Sequence, residues 1–199
     1  MQFIILVLFV LFSSILSFGI GIWLALNAHH KRQLKKVIEL EGYFERFNDM
    51  DRRLRNNKGI TIDEYVSGTR ILYPWEFPPA PPIIKCRIMI FDANHEGGFP
   101  HTHGRYVLTP SLSQLCPTTF RHEQVHIYQR YNPEKVNQGN AHEIIGIVKP
   151  SDNCRANPDT NSLKYAGISA EYKPNAKKMT DLEDPRDHPF EVMAYALQT

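Results

Sequence analysis

Cysteine is scarce in this chain: Cys86, Cys116 and Cys154 are three in number, and they stand in no metal or redox spacing. This argues against a disulfide-stapled secreted scaffold. No asparagine begins an N-x-Ser/Thr sequon, and the two absences together point to a reducing, unglycosylated compartment. Net charge is only +2 over 199 residues. Outside one short basic cluster nothing in the sequence supports nucleic-acid binding, which needs Lys and Arg gathered on a folded domain. Internal repeats and low-complexity tracts are also missing, which removes solenoid and linker-like readings.

The longest absence is of charge. The stretch "FIILVLFVLFSSILSFGIGIWLAL", Phe3 to Leu26, contains no ionisable residue, and at about 1.5 Å per residue it is long enough to cross a hydrocarbon core of about 30 Å. We read residues 1–27 as a transmembrane anchor whose partner is the lipid bilayer, through residues 3–26. A cleaved signal peptide is the rival reading, but it would want a basic n-region and a shorter apolar run, and only Met1 and Gln2 precede this one. Directly after the span comes "HHKRQLKK", with Lys31, Arg32, Lys35 and Lys36. The positive-inside rule then places the N-terminus outside and the rest of the chain in the cytoplasm, as a single-pass membrane protein.

Residues 28–58 read as a basic amphipathic helical stalk. The segment from Lys31 to about Asn57 is free of proline, with Val37, Leu40, Phe44, Phe47, Met50 and Leu54 at helical spacing. Its stripe can pack on the following domain or the membrane surface, or pair with a second copy as a short coiled coil. "YPWEFPPAPPI" should run extended over a surface as polyproline II, and "KCRIMIFDA" (85–93) and "GRYVLTP" (104–110) read as strands. Between them "NHEGGFPHTHG" reads as a glycine-rich turn carrying three histidines. An irregular stretch follows "RYNP" until "HPFEVMAYAL" resumes helical spacing. The expected fold class is α+β, with residues 59–199 forming a small domain of a short sheet and two metal-bearing helices.

The chemistry centres on "HEQVH", residues 122 to 126. On a helix, residues four apart share a face, so His122 and His126 can turn imidazole nitrogens to one ion about 2.0–2.1 Å away. Glu123 sits one step round, where it can reach a water and act as a general base. Thr118 and Thr119 are N-cap candidates after Pro117, and Asn132-Pro133 stops the helix. By composition the HExxH pattern should occur by chance roughly 0.02 times in this chain, so two solvated histidines on a surface helix are the weaker reading. Gln129 and Asn132 exclude the metzincin extension, which demands Gly and His there. A third ligand can come from Glu191, which borders a core stripe of Phe190, Met193, Ala194 and Leu197. A carboxylate there is costly unless paired or metal-bound, although a first-turn glutamate is also favoured by the helix dipole.

These residues resemble the HExxH-plus-glutamate zinc peptidases, the gluzincins. More specifically they are similar to poorly characterised metallopeptidase-like proteins of large DNA viruses and microbes that carry "PHT" ahead of an HExxH followed by "QR". The matching pieces are "GFPHTHG", "RHEQVHIYQR", "RANPD" and "HPFE", spread over most of residues 85–199. The resemblance implies a zincin-like domain with Zn2+ on His122, His126 and Glu191, Glu123 as catalytic acid/base, and a peptide or protein substrate. His101 and His103 are candidates for contacts around the metal or with substrate, as are Arg155 with Asp159, which can also cap a turn. Tyr165 and Tyr195 can donate to an oxyanion, and His142 and His188 are reserve ligands. The rival function is a non-catalytic, membrane-anchored protein in which zinc clips two helices together.

The topology is testable by insertion into microsomes. A sequon engineered into an exposed loop of the C-terminal domain should stay unmodified, because the basic cluster keeps that domain on the cytoplasmic side. Glycosylation there would overturn the orientation.

Overall fold

The computed structural model describes residues 2–73, 83–132, 135, 153–157, 168–183 and 189–198. The proline-rich segment 74–82 and most of the stretch between the two candidate metal helices lie outside the described residues. The architecture is mixed helix and sheet: one long apolar N-terminal helix, a small four-stranded sheet, a two-stranded sheet and shorter helices.

Helix α1, Gln2–Glu41, is a single helix of 40 residues that carries both the apolar span and the basic segment. Its apolar portion is long enough to cross a membrane, and none of that portion is buried within the protein. The helix stops where glycine permits it. Gly42 takes φ +57°, and Gly42 N–H donates to Glu39 O at 3.2 Å while Tyr43 N–H donates to Ile38 O at 3.3 Å, the pair of bonds that defines a Schellman cap. The helical stalk expected as far as Asn57 is therefore interrupted. A 3₁₀ turn, Phe44–Arg46, and α2, Asp49–Leu54, follow, the latter started by the Asn48 side chain accepting from Asp51 N–H at 2.8 Å.

The apolar stripe after the basic cluster packs inward. Leu34 and Ile38 are fully buried and join Tyr43, Phe44, Phe47, Tyr65, Met89 and Leu108 in one core cluster. Leu40, expected on the same stripe, is 87% exposed because it projects from the other side of α1. Helix α3, Ile62–Ser67, opens on a capping box between Thr61 and Glu64 and is tied to α1 by Lys35 Nζ to Asp63 at 2.6 Å and Lys31 Nζ to Ser67 O at 2.5 Å.

The main sheet has the order β1-β2-β4-β3, with β1 Arg70–Ile71, β2 Arg87–Ile90, β3 His101–His103 and β4 Tyr106–Thr109; β2 and β4 are parallel and the other pairs antiparallel. The two strands read from the sequence are present but shorter than expected. The histidine-bearing "turn" is partly strand: His101 and His103 are buried in β3, not solvated. Alternation divides the sheet's faces. Met89 and Leu108 face the cluster built on α1, whereas Ile88 and Val107 pack with Leu115, Phe120 and Ile127 beneath α4, Pro117–Tyr131. Strands β5, Cys154–Ala156, and β6, Ile168–Glu171, pair antiparallel, and α5, Pro189–Leu197, closes the described chain.

Because α1 and α2 supply so much of the core, a fragment cut at Gly59 should show no cooperative melt. Ile38→Ala in the full chain should cost about 2–5 kcal/mol in denaturant unfolding, the range for a large buried aliphatic truncated to alanine. A loss below about 0.5 kcal/mol would show that α1 is not part of the core.

Candidate metal centre

Helix α4 starts two to three residues earlier than the threonines suggest. Pro117 occupies its first turn, where a missing N–H is no loss, so Cys116 is the N-cap and the Thr118 and Thr119 hydroxyls lie 3.1 and 3.2 Å from Cys116 Sγ. These contacts, at the end of a helix, lower the exposed Cys116 thiol's pKa to about 7. The helix ends at Tyr131 with Asn132 as C-cap. Phe120, Val125 and Ile127 face inward, which fixes its rotation and turns His122 and His126 toward α5.

There the donor atoms converge. His122 Nε2 and His126 Nε2 are 3.1 Å apart, and Glu191 reaches both, with Oε2 3.1 Å from His122 Nε2 and Oε1 3.4 Å from His126 Nε2. An ion bound tetrahedrally at about 2.0–2.1 Å holds its donors about 3.3–3.4 Å apart. The separation of the two imidazole nitrogens is close to such an edge, each oxygen of Glu191 approaches a different imidazole, and the His122, His126 and Glu191 group can hold a metal ion. Burial pushes the Glu191 carboxyl up, but hydrogen bonds from His122 and His126, the His126 charge and a hydrogen bond from Asn157 outweigh it and hold the group well below the usual carboxylate range. Glu191 therefore brings a full negative charge to the cluster. Glu123, the residue after His122 on α4, is buried, at 5% exposed.

Two residues that the sequence did not single out orient these ligands. Gln129 Nε2 donates to Phe190 O at 2.8 Å, which leaves its Oε1 to accept from His126 Nδ1–H at 3.0 Å. That bond directs the Nε2 of His126 to the shared point, and the same amide fastens α5 to α4. Asn157 Nδ2 donates to Glu191 Oε1 at 2.7 Å. Gln129 carries a signal in hindsight, lying three residues after His126; Asn157 carries none, since its partner is distant in sequence.

Asn157 follows β5, which a buried polar network anchors to α2. Ala156 N–H donates to Asp51 Oδ2 at 2.8 Å, Arg55 donates to Ala156 O at 2.6 Å and to Glu96 Oε2 at 2.7 Å, and Tyr172 O–H donates to Asp51 Oδ1 at 2.6 Å. Burial disfavours both charges of the Arg55 and Glu96 pair, yet each raises the other's ionised population enough to keep them charged.

The other expected residues fall in several places. His101 Nε2 meets the Tyr65 hydroxyl at 2.5 Å and its Nδ1 lies 3.0 Å from Phe99 O, while His103 Nδ1 lies 2.8 Å from Glu41 Oε2. Both thus serve the contact between β3 and the helical layer and are not members of the donor cluster. Arg155 lies on β5 within electrostatic range of Glu191, and burial holds its pKa below the ordinary arginine value. Tyr195 is half exposed, its ring 4.7 Å from that of His122. Tyr165, Asp159, His142 and His188 lie outside the described residues.

No family model, curated protein or solved structure matches this chain. The chemistry must be read from the residues themselves.

Asn157→Ala and Gln129→Leu should each weaken divalent-metal binding by about 10–100-fold, the usual loss on removing a group that orients a ligand, as measured by competition against a chromophoric chelator. Wild-type affinity in both variants would show that neither orients the site.

Proposed function

We propose that the chain is a membrane-anchored zinc peptidase with a zincin-like cytoplasmic domain. The observation that carries the reading is the convergence of His122, His126 and Glu191 within 3.1 to 3.4 Å of one another, with Glu123 the residue after His122 on the same helix. Two imidazoles and one carboxylate suit zinc, and three protein ligands leave a fourth position for water or substrate, which a closed structural site does not offer. This favours an enzyme over a structural clip.

Zinc supplies Lewis acidity in such a site, polarising a carbonyl and making water acidic enough to ionise near pH 7. The chain's own residues do the rest. Glu123 accepts a proton from the attacking water at a carboxylate oxygen and later delivers it to the leaving amine nitrogen. Glu191 contributes a negative charge, Gln129 holds the His126 ring at Nδ1, and Asn157 holds Glu191. Burial of Glu123 keeps bulk water from competing for its proton. The apolar half of α1 anchors the domain, and Lys31, Arg32, Lys35 and Lys36 favour its placement on the cytoplasmic side.

Glu123→Gln tests the reading. The amide is nearly isosteric and the three ligands are untouched, so zinc content and melting temperature should match the wild type, while turnover of a peptide library should fall by at least about 100-fold. Unchanged cleavage by the variant would sink the mechanism; a zinc-loaded wild type inert on broad libraries would favour the clip.

A further inference from the structure

The junction between the apolar span and the folded domain has no slack. Leu26 is an exposed residue of the span, and the next residue, Asn27, already accepts from Ile71 N–H of β1 at 3.0 Å. His30 Nδ1 lies 3.0 Å from the Tyr106 hydroxyl, Lys31 bonds Ser67 O, and Leu34 is fully buried in the domain core. The helix does not break in between. A helix that crosses a bilayer through residues 3–26 therefore delivers the domain directly to the headgroup layer, with no flexible tether to lift it away.

The surface brought to that layer is basic. On α1 it carries Lys31, Arg32, Lys35 and Lys36; from the sheet come exposed Arg70, next to the Ile71 that bonds Asn27, and exposed Arg87, within electrostatic range of His30. Arg87 is paired across the sheet with Tyr106, and the exposed Arg105 donates to Lys85 O at 3.3 Å, which places both of those cations beside it. Opposing charge is thin. Residues 27–38 and 97–122 contain no Asp or Glu; the first carboxylates on α1, Glu39 and Glu41, come about 18 Å along the helix from Asn27, and Glu41, at the Arg105 end of the face, is already engaged by Gly104 N–H and His103 at 2.8 Å. Asp63 is already engaged by Lys35 at 2.6 Å, and Glu76 lies outside the described residues. The cations scattered through the sequence at 70, 85, 87 and 105 thus gather on the strands that Asn27 and His30 of α1 touch.

We propose that this end of the domain, formed by the start of the domain-bound half of α1, Arg70 of the edge strand β1, and Lys85, Arg87 and Arg105 at the starts of β2 and β4, seats on anionic lipid headgroups of the membrane that α1 enters. It rests on the membrane reading above and is independent of the peptidase reading. Polybasic surfaces next to a span are drawn to anionic leaflets, and the attraction is screened by salt.

The full chain in nanodiscs of neutral phosphatidylcholine, and in others containing phosphatidylserine, provides the test, with lysine acetylation followed by mass spectrometry. Lys85 should react at least about threefold more slowly in the anionic discs, with the difference lost in high salt. Lys173, Lys177 and Lys178, exposed in the region of Tyr172 and Ala176 that packs on α2, should react equally in both. Arg87→Glu with Arg105→Glu should abolish the Lys85 difference. Equal Lys85 rates in the two discs overturn the seat while leaving the anchor standing; failure of the chain to float with either disc overturns the anchor and the seat with it.

Discussion

Two imidazole nitrogens and the two oxygens of one carboxylate, from two helices, are gathered so that each imidazole lies within 3.4 Å of the other and of a carboxylate oxygen, and the rest of the domain is arranged to keep them there. Two imidazole nitrogens and a carboxylate so placed repel through their lone pairs unless a proton or a cation sits between them. With separations of 3.1, 3.1 and 3.4 Å, the group can hold one metal ion. Each supporting element acts on one member of it. The sheet fixes the rotation of α4 through Phe120 and Ile127, Gln129 couples α4 to α5, and Asn157 holds the carboxylate from the side.

The support continues outward to the N-terminal helix. Strand β5, which leads to Asn157, is bonded to Asp51 and Arg55 of α2 and its cap, and α2 follows directly from the cap of α1. A second tie runs from Glu41, whose Oε1 accepts from Gly104 N–H at 2.8 Å and lies 3.5 Å from Arg130 Nε on α4. Gly104 takes φ +52°, and a Cβ there would meet Val37 Cγ1 at 2.9 Å, so α1 and the β3–β4 turn touch backbone to side chain. The helix that carries the apolar span is thus also a wall of the domain that carries the ligands.

How much of this the sequence disclosed depends on the range of each interaction. His122, Glu123 and His126 are legible because helical periodicity alone puts them on neighbouring positions, and Glu191 because a charged residue bordering an apolar helical stripe requires a partner. Asn157 is not legible: it acts across a tertiary contact with no periodic trace. His101 and His103 read as turn residues because glycine and proline flank a strand of only three residues, too short for alternation to show. Apolar spacing continues past Gly42 and conceals the end of the stalk helix, which the positive-φ cap imposes there. The basic face leaves no sequence trace for the same reason as Asn157, since Arg70, Lys85, Arg87 and Arg105 come together only when β1, β2 and β4 pair.

The account stands or falls on the ion. Native mass spectrometry of the detergent-solubilised full chain, with metal content measured in parallel, should show one zinc per chain, and a His122→Ala, His126→Ala double variant should show none while still displaying the fold's circular dichroism. Stoichiometric zinc surviving in the double variant, or a wild type that folds yet never takes up the metal, would contradict it.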